Sequence, residues 1–144
     1  MSSSWGQQLT IALFGESHGP HIGIFMDGLP AGQPVDLAEI EKFMQRRAPG
    51  HSPWSTKRRE DDAFSILSGV YQGKTTGTPI CAVIENQDVR SGNYNAKTKL
   101  PRPSHADFTG YMRYQGANDP RGGGHFSGRL TAPLCFAGAV SKQV

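Results

Sequence analysis

The sequence has few cysteines and no long apolar run, which narrows the classes of protein it can belong to. Its only cysteines, Cys81 and Cys135, each lie in a short apolar stretch. We therefore expect two buried free thiols, without a disulfide or a metal site. No stretch approaches the roughly 18 apolar residues of a membrane-spanning helix, and no signal peptide or lipidation motif is present. The expectation is a soluble, cytoplasmic protein.

The chain also lacks a strong charge of either sign, whereas glycine is plentiful. The formal net charge of +3 suits a phosphorylated or carboxylated small molecule as well as it suits nucleic acid. With 18 glycines and 10 prolines in 144 residues, and a hydrophobic fraction of 36%, much of the chain must be ordered loop. Its length fits about one domain.

The clearest predicted helix covers residues 37–47. Asp36 is placed to cap it, Glu39 completes a capping box, and Pro49 ends it. At about 100° per residue, Arg47 lies on the apolar face. A buried guanidinium needs an anion, although a cation in the last turn can also simply stabilise the helix dipole. The apolar face itself is formed by Leu37, Ile40, Phe43 and Met44.

Short strands and two further helices complete the prediction. A second helix is expected to begin near Ser104, which would cap it, and to turn Phe108, Tyr111 and Met112 inward. Strands are expected at residues 9–14, 22–26, 63–67 and 79–85. This mixture favours an α+β sandwich over a doubly wound parallel sheet.

The last predicted helix begins between Ser127 and Thr131, because Pro133 is tolerated only in a first turn. Residues 132–140 are apolar nearly all round, and such a helix needs cover on every side. Since the chain ends at Val144, we expect the cover to come from a partner subunit or from the remainder of a longer protein.

Two histidines lie in short motifs that glycine or proline makes stiff. His18 is in the segment Gly-Glu-Ser-His-Gly at 15–19, and His105 is in Arg-Pro-Ser-His-Ala-Asp at 102–107. Histidine titrates near neutral pH, so the two are candidates for proton transfer on an anionic ligand near Arg102. His21 follows His18 by three residues, but no thiolate or carboxylate pattern completes a zinc site.

A third motif, at residues 119–129, contains three consecutive glycines. Glycines that lead into a capped helix can present several N–H groups to an anion, which predicts a phosphate cradle. The spacing is neither that of a P-loop nor that of a dinucleotide fingerprint. A plain flexible loop is the alternative.

Taken together, the motifs make the chain similar to the chorismate synthase family from about residue 5 to residue 140. An opening Trp-Gly-Gln is followed by motifs at 14–19, 27–32, 46–50, 58–62, 68–70, 74–80, 102–107 and 122–124. The resemblance implies that residues 1–144 are the N-terminal part of a single domain, a β-α-β layered sandwich assembled as a homotetramer.

The resemblance also implies an activity and its ligands. Family members convert 5-enolpyruvylshikimate 3-phosphate to chorismate by 1,4-trans elimination of phosphate, in the shikimate pathway, with reduced FMN and with NADPH as a candidate reductant. His18 matches the histidine that assists the departing phosphate, and His105 the one near the reduced flavin. Asp107 is expected to cap or orient its neighbours. Binding of substrate or FMN is implied for Arg47, Arg102, His125, Phe126, Ser127 and Arg129.

Three positions depart from the family pattern. His125 replaces a frequent arginine, Leu130 a glutamate, and Pro53 a basic residue. Because family chains continue well beyond Val144, we expect the isolated chain to bind flavin weakly and to turn over poorly or not at all. The alternative is a module without catalysis, which binds a phosphate ligand or nucleic acid or only oligomerises.

Overall fold

A computed structural model describes residues 3–49, 61–87 and 100–144. Within these ranges the strands are β1 (Ser4–Gly6), β2 (Thr10–Gly15), β3 (His21–Asp27), β4 (Phe64–Ser68), β5 (Val70–Tyr71), β6 (Lys74–Thr75) and β7 (Ile80–Glu85). The α-helices are α1 (Leu37–Arg47), α2 (Asp107–Tyr114) and α3 (Thr131–Ser141). The four predicted strands are confirmed to within one residue at each end. Strand β1 and the β5–β6 hairpin were not predicted.

The main sheet has five antiparallel strands in the order β1-β2-β3-β7-β4. In the central pair, Ile22 is opposite Ile84 and Ile24 is opposite Ala82. Because side chains alternate across a strand, this register places the apolar residues of both strands on one face. All four side chains are at most 2% exposed, so this face is the floor of the core.

Helices α1 and α3 pack against each other, and α3 lies across strands β3 and β7. The helix residues in the core include Ile40, Met44, Phe136 and Val140, all at most 2% exposed. The result is a sheet with a helical layer on one face, which confirms the α+β class. Six of the eleven residues of α3 are buried, so the sheet and α1 supply much of the cover that its composition demands.

Of the capping box predicted for α1, the hydrogen bonds to the Asp36 side chain are confirmed and the bond from Glu39 back to the Asp36 N–H is not. Asp36 Oδ1 accepts hydrogen bonds from the N–H groups of Ala38 and Glu39, at 2.9 and 3.2 Å. The return half of the capping box is made by a different residue, because the Asp36 N–H donates to Gln143 Oε1 at 2.7 Å. Leu37 was expected inside but is 48% exposed. The end of α3 thus fixes the start of α1.

Helix α2 corrects the prediction for its orientation and its cap. Phe108, Tyr111 and Met112 are about 60% exposed, not turned inward. The buried position is Gly110, where an added Cβ would lie 2.6 Å from the ring of Phe126. At about 100° per residue, Phe108 and Met112 lie on the side of the helix opposite Gly110, and Tyr111 lies about 100° away from it. Ser104 caps nothing, since the helix begins at Asp107 without a side-chain cap.

Two other expectations are adjusted. Cys81 and Cys135 are free thiols, as expected, but both are only partly buried. Burial raises the pKa of the Cys135 thiol above its ordinary value. Among the described residues, no helix is both long enough and apolar enough to cross a membrane. Pro53 lies outside the described residues.

Candidate active site

His18 lies in the loop between β2 and β3. The loop leaves β2 at Gly15, whose φ of +91° and close approach to the His21 carbonyl exclude a side chain. Ser17 is 1% exposed, and its N–H donates to the Gly124 carbonyl at 3.1 Å. The Ser17 hydroxyl donates to the Gly122 carbonyl at 3.3 Å. The loop is therefore joined to the glycine run more than 100 residues later.

The glycine run holds both histidines. Gly122, Gly123 and Gly124 have φ angles of +60°, +90° and +54°. A Cβ on Gly122 would lie 2.5 Å from His18 Nε2, and a Cβ on Gly123 would lie 3.0 Å from His105 Nε2. The two imidazoles thus pack on successive residues of one backbone segment, and any side chain at either glycine would displace one of them.

The predicted entry of the glycines into a helix is wrong in detail. The run forms an irregular 3-10 turn, and a second 3-10 turn at Gly128–Leu130 separates it from α3. Ser127 caps that second turn by accepting from the Arg129 N–H at 3.3 Å. The glycine carbonyls that face Ser17 act as acceptors, so they fix the histidine loop.

Two charged side chains, Asp107 and Arg102, hold the His105 ring in place. Its Nδ1 lies 2.6 Å from Asp107 Oδ1. Asp107 also accepts from Arg102, at 2.7 Å from Nε, 2.9 Å from Nη2 and 2.9 Å from the backbone N–H. These hydrogen bonds from Arg102 hold the pKa of Asp107 well below its ordinary value. The ionised carboxylate favours a proton on Nδ1, so that Nε2, beside Gly123, accepts from Arg102 Nη2 at 3.2 Å.

The next residues of the motif, His125 and Phe126, make contacts within the fold. His125 Nδ1 is 2.8 Å from the Gly15 carbonyl, and its Nε2 is 2.7 Å from the Ser3 hydroxyl. Both ring nitrogens are therefore engaged by the protein, with Nδ1 donating and Nε2 accepting. Phe126 packs against Gly110 of α2 and lies 6.2 Å from the Tyr114 ring.

Arg47 and Arg129 meet behind the histidine loop on one carboxylate. The Asp62 side chain is fully buried and accepts from a terminal N–H of each arginine. Arg47 does face an anion, which is this carboxylate of the protein, and its expected contact with a ligand stays a prediction. Sequence reasoning missed the role of Asp62. Two guanidinium groups on one carboxylate leave a net positive charge in the interior.

A second pair flanks the glycine run. Arg121 donates to Asp119 from Nε and Nη2, at 2.9 and 2.8 Å, and its side chain is 45% exposed. These bonds lower the pKa of Asp119. The charge of His18 contributes to the same shift, so this ion pair lies close to His18. No group of three or more metal-ligating side chains occurs among the described residues.

Sequence reasoning also missed Asn86, which directly follows β7. The residue is 7% exposed, and its side chain bridges Arg129 and the His18 loop. The signal that could have found it is an amide placed immediately after an apolar strand, where a buried polar group needs partners. A polar depression of about 180 Å³ near His21 and Asp62 includes neither His18 nor His105.

The chain was then compared with known proteins. Residues 9–144 match the family model of chorismate synthase. A chorismate synthase of Albidiferax ferrireducens is 51% identical over 98% of this chain, and one of Korarchaeum cryptofilum is 44% identical over 97%. A crystal structure of chorismate synthase matches 95% of this chain and 34% of its own, with a TM-score of 0.66 and 29% identity.

These matches cover nearly all of the chain but only part of each relative. The chain spans 38% and 39% of the lengths of the two relatives named. The matched region contains the glycine run, both histidines and the two arginines that bind Asp62. The chain therefore belongs to the chorismate synthase family.

Proposed function

We propose that this chain supplies both histidines and several anion-binding residues of a chorismate synthase active site. The reaction is the 1,4-trans elimination of phosphate from 5-enolpyruvylshikimate 3-phosphate to give chorismate. The observation that carries the proposal is the packing of His18 and His105 on the successive glycines Gly122 and Gly123. Two titratable groups and several cations thus meet at one segment, as proton transfer beside a departing anion requires.

The residues fit an anionic flavin cofactor and an anionic substrate. Backbone without side chains lies at the centre, and Arg102 and Arg121, with side chains 51% and 45% exposed, lie at either side. Arginine suits both carboxylate and phosphate because its planar donors match their oxygen atoms. Reduced FMN would supply the transient electron donation that the elimination needs. We assign it to His105 and to His125, Phe126 and Ser127, which are partly exposed although the His125 ring nitrogens are bonded within the protein.

Each histidine has a proposed task. His18, on the Gly122 side, donates a proton to the departing phosphate. His105, on the Gly123 side, stands at the flavin, with Asp107 fixing its Nδ1 proton. Asp107 orients His105 and touches no reacting atom.

Arg47 and Arg129 contribute the positive charge behind the loop. Arg47 Nε is buried and has no hydrogen-bond partner among the described residues, so it can donate to a ligand anion. Arg129 is 5% exposed and donates to Asn86 and Asp62. It therefore contributes a fixed positive charge and no direct contact with a ligand. We further propose a cytoplasmic homotetramer, with NADPH as the source of reducing equivalents.

An anaerobic assay tests the activity. Chorismate formation is followed with reduced FMN, 5-enolpyruvylshikimate 3-phosphate and the 144-residue chain, and equilibrium binding of each ligand is measured in parallel. We expect both ligands to bind, with affinity that falls when Arg102 is replaced by alanine. Failure of both ligands to bind at millimolar concentration would contradict the proposal.

A module that only associates is the second candidate. It is favoured by the exposed face of α2, where Phe108, Tyr111 and Met112 are all about 60% exposed. An apolar patch of this kind is typical of an interaction surface. Light scattering combined with a flavin titration separates the two candidates. Association without stoichiometric flavin binding would favour the module, and stoichiometric binding would favour the enzyme.

A further inference from the structure

The Asn86 side chain uses its NH₂ group and its carbonyl oxygen on three partners. Its Nδ2 donates to the Glu16 carbonyl at 3.0 Å and to the Gly19 carbonyl at 2.8 Å. Its Oδ1 accepts from Arg129 Nε at 3.0 Å, and its backbone N–H donates to the Pro20 carbonyl at 2.9 Å. Asn86, which is 7% exposed, thus connects the His18 loop to Arg129 in the protein interior.

The two carbonyls that Asn86 binds lie on either side of His18 in the chain. Glu16 is two residues before it and Gly19 is one residue after it, and the Gly19 N–H also donates to Glu16 at 3.0 Å. The amide therefore spans the base of the turn that carries the imidazole. Gly124 holds the other side of the loop through the Ser17 N–H, so His18 lies between two fixed points.

Arg129 fixes which way the Asn86 amide faces. If the amide were flipped, its NH₂ would face the Arg129 N–H and its oxygen would face two carbonyls, which is unfavourable at both ends. Arg129 is itself held by Asp62. The ion pair therefore acts on the His18 loop through the orientation of one neutral side chain.

We propose that Asn86 is a positioning residue that sets the placement of His18 against Gly122. The proposal rests on the role proposed for His18, but it concerns the conformation of the loop and is tested without turnover. Removal of the two amide donors takes away the Asn86 bond to the Gly19 carbonyl and leaves the Glu16 carbonyl with the Gly19 N–H as donor, which favours a loop that opens locally.

Two variants and one matched control test the proposal. Asn86→Asp keeps the shape and the acceptor for Arg129 but cannot donate to the two carbonyls when ionised. Asn86→Ala removes the donors without adding charge. Gln87→Glu adds a negative charge at the next residue, whose side chain is exposed.

Amide hydrogen exchange and the imidazole ¹H–¹³C signals are measured on the 144-residue chain. In both Asn86 variants we expect Ser17 and Gly19 to exchange at least about tenfold faster relative to Ile24, at the centre of the sheet. The His18 signals should shift, and those of His125 should stay in place. Gln87→Glu should change neither readout.

Three results would overturn the proposal. They are unchanged exchange at Ser17 and Gly19, a parallel rise in exchange at Ile24, and loss of folding in both variants when Gln87→Glu folds. The last two would make Asn86 a residue of general stability. If replacement of His18 left turnover intact while the exchange result held, the role of His18 would fail and the placement by Asn86 would stand.

Discussion

His18 and His105 pack on neighbouring glycines, but their loops are held in different ways. Around His18 the partners are backbone groups, the buried Ser17 and the neutral Asn86. Around His105 they are ionic, with Asp107 and the half-exposed Arg102. Ionic contacts at a surface respond to pH and salt, whereas buried hydrogen bonds respond to changes of shape. The two loops of the proposed site should therefore lose their structure under different treatments.

Asp62→Asn should have the largest effect, on the His18 side. It leaves Arg47 and Arg129 without their shared carboxylate, and loss of one partner of a buried ion pair costs about 3–5 kcal/mol. Urea unfolding measures the loss. The matched control is Asp61→Asn, at an exposed neighbouring carboxylate, where we expect a change within about 0.5 kcal/mol. Equal effects of the two substitutions would contradict a stabilising role for the buried Asp62 carboxylate between Arg47 and Arg129.

Alanine at the two site glycines should separate the histidines. Gly122→Ala places a methyl group against His18, and Gly123→Ala places one against His105 and Arg102. Each should cost about 1–3 kcal/mol for a left-handed conformation and should shift mainly the NMR signals of the histidine it touches.

Alanine substitutions at two other glycines separate the cost of the backbone conformation from the cost of steric contact. At Gly73 the φ is +72° and nothing lies within 4 Å of an added Cβ, so Gly73→Ala measures the backbone cost alone. At Gly128 neither restriction applies, so Gly128→Ala should be nearly neutral or stabilising. If Gly122→Ala and Gly123→Ala moved the same histidine signals, the separate packing would be wrong.

Asp107→Asn should have the smallest effect, and that effect should depend on pH. Arg102 lowers the pKa of Asp107 in the folded state, so the carboxylate stabilises the fold above its unfolded pKa of about 3.9. This contribution is lost as the pH falls below that value toward the lower folded pKa. We expect about 1 kcal/mol or less at pH 7, because Arg102 is half exposed.

Unfolding of the wild type and of Asp107→Asn is measured from pH 7 to pH 2.5. The difference between them should shrink toward low pH and in high salt. A difference that stays constant, or grows, as the pH falls would contradict the stabilising role of the ionised Asp107 carboxylate. Asn86→Ala provides the comparison from the other loop, since its effect should not follow this titration.

Local patterns predicted the features that neighbours in sequence determine. Helix α1 and its cap at Asp36 were found because both depend on a few adjacent residues. The strands were found from short apolar runs. The second histidine motif also predicted a histidine beside an arginine, which the contact of Arg102 with His105 confirms, whereas proton transfer by either histidine stays a prediction.

Contacts between distant segments set what the sequence did not predict. The direction of α2 depends on Gly110 against Phe126, and the anion for Arg47 is Asp62, fifteen residues away. The Asn86 side chain contacts Arg129, 43 residues later in the chain, and Glu16, 70 residues earlier. No periodic pattern encodes such pairs, because each partner looks like an ordinary polar residue or glycine in its own segment.

The most direct test of the central claim is the rate of phosphate elimination in three histidine variants. His18→Ala and His105→Ala are compared with His21→Ala, which changes an exposed histidine at the start of β3. The assay uses reduced FMN under anaerobic conditions, with the same substitutions in a full-length chorismate synthase if the chain alone is too slow. We predict losses of about 10²- to 10⁴-fold for the first two and little change for the third. Rates within about threefold of wild type for either His18→Ala or His105→Ala would contradict the account.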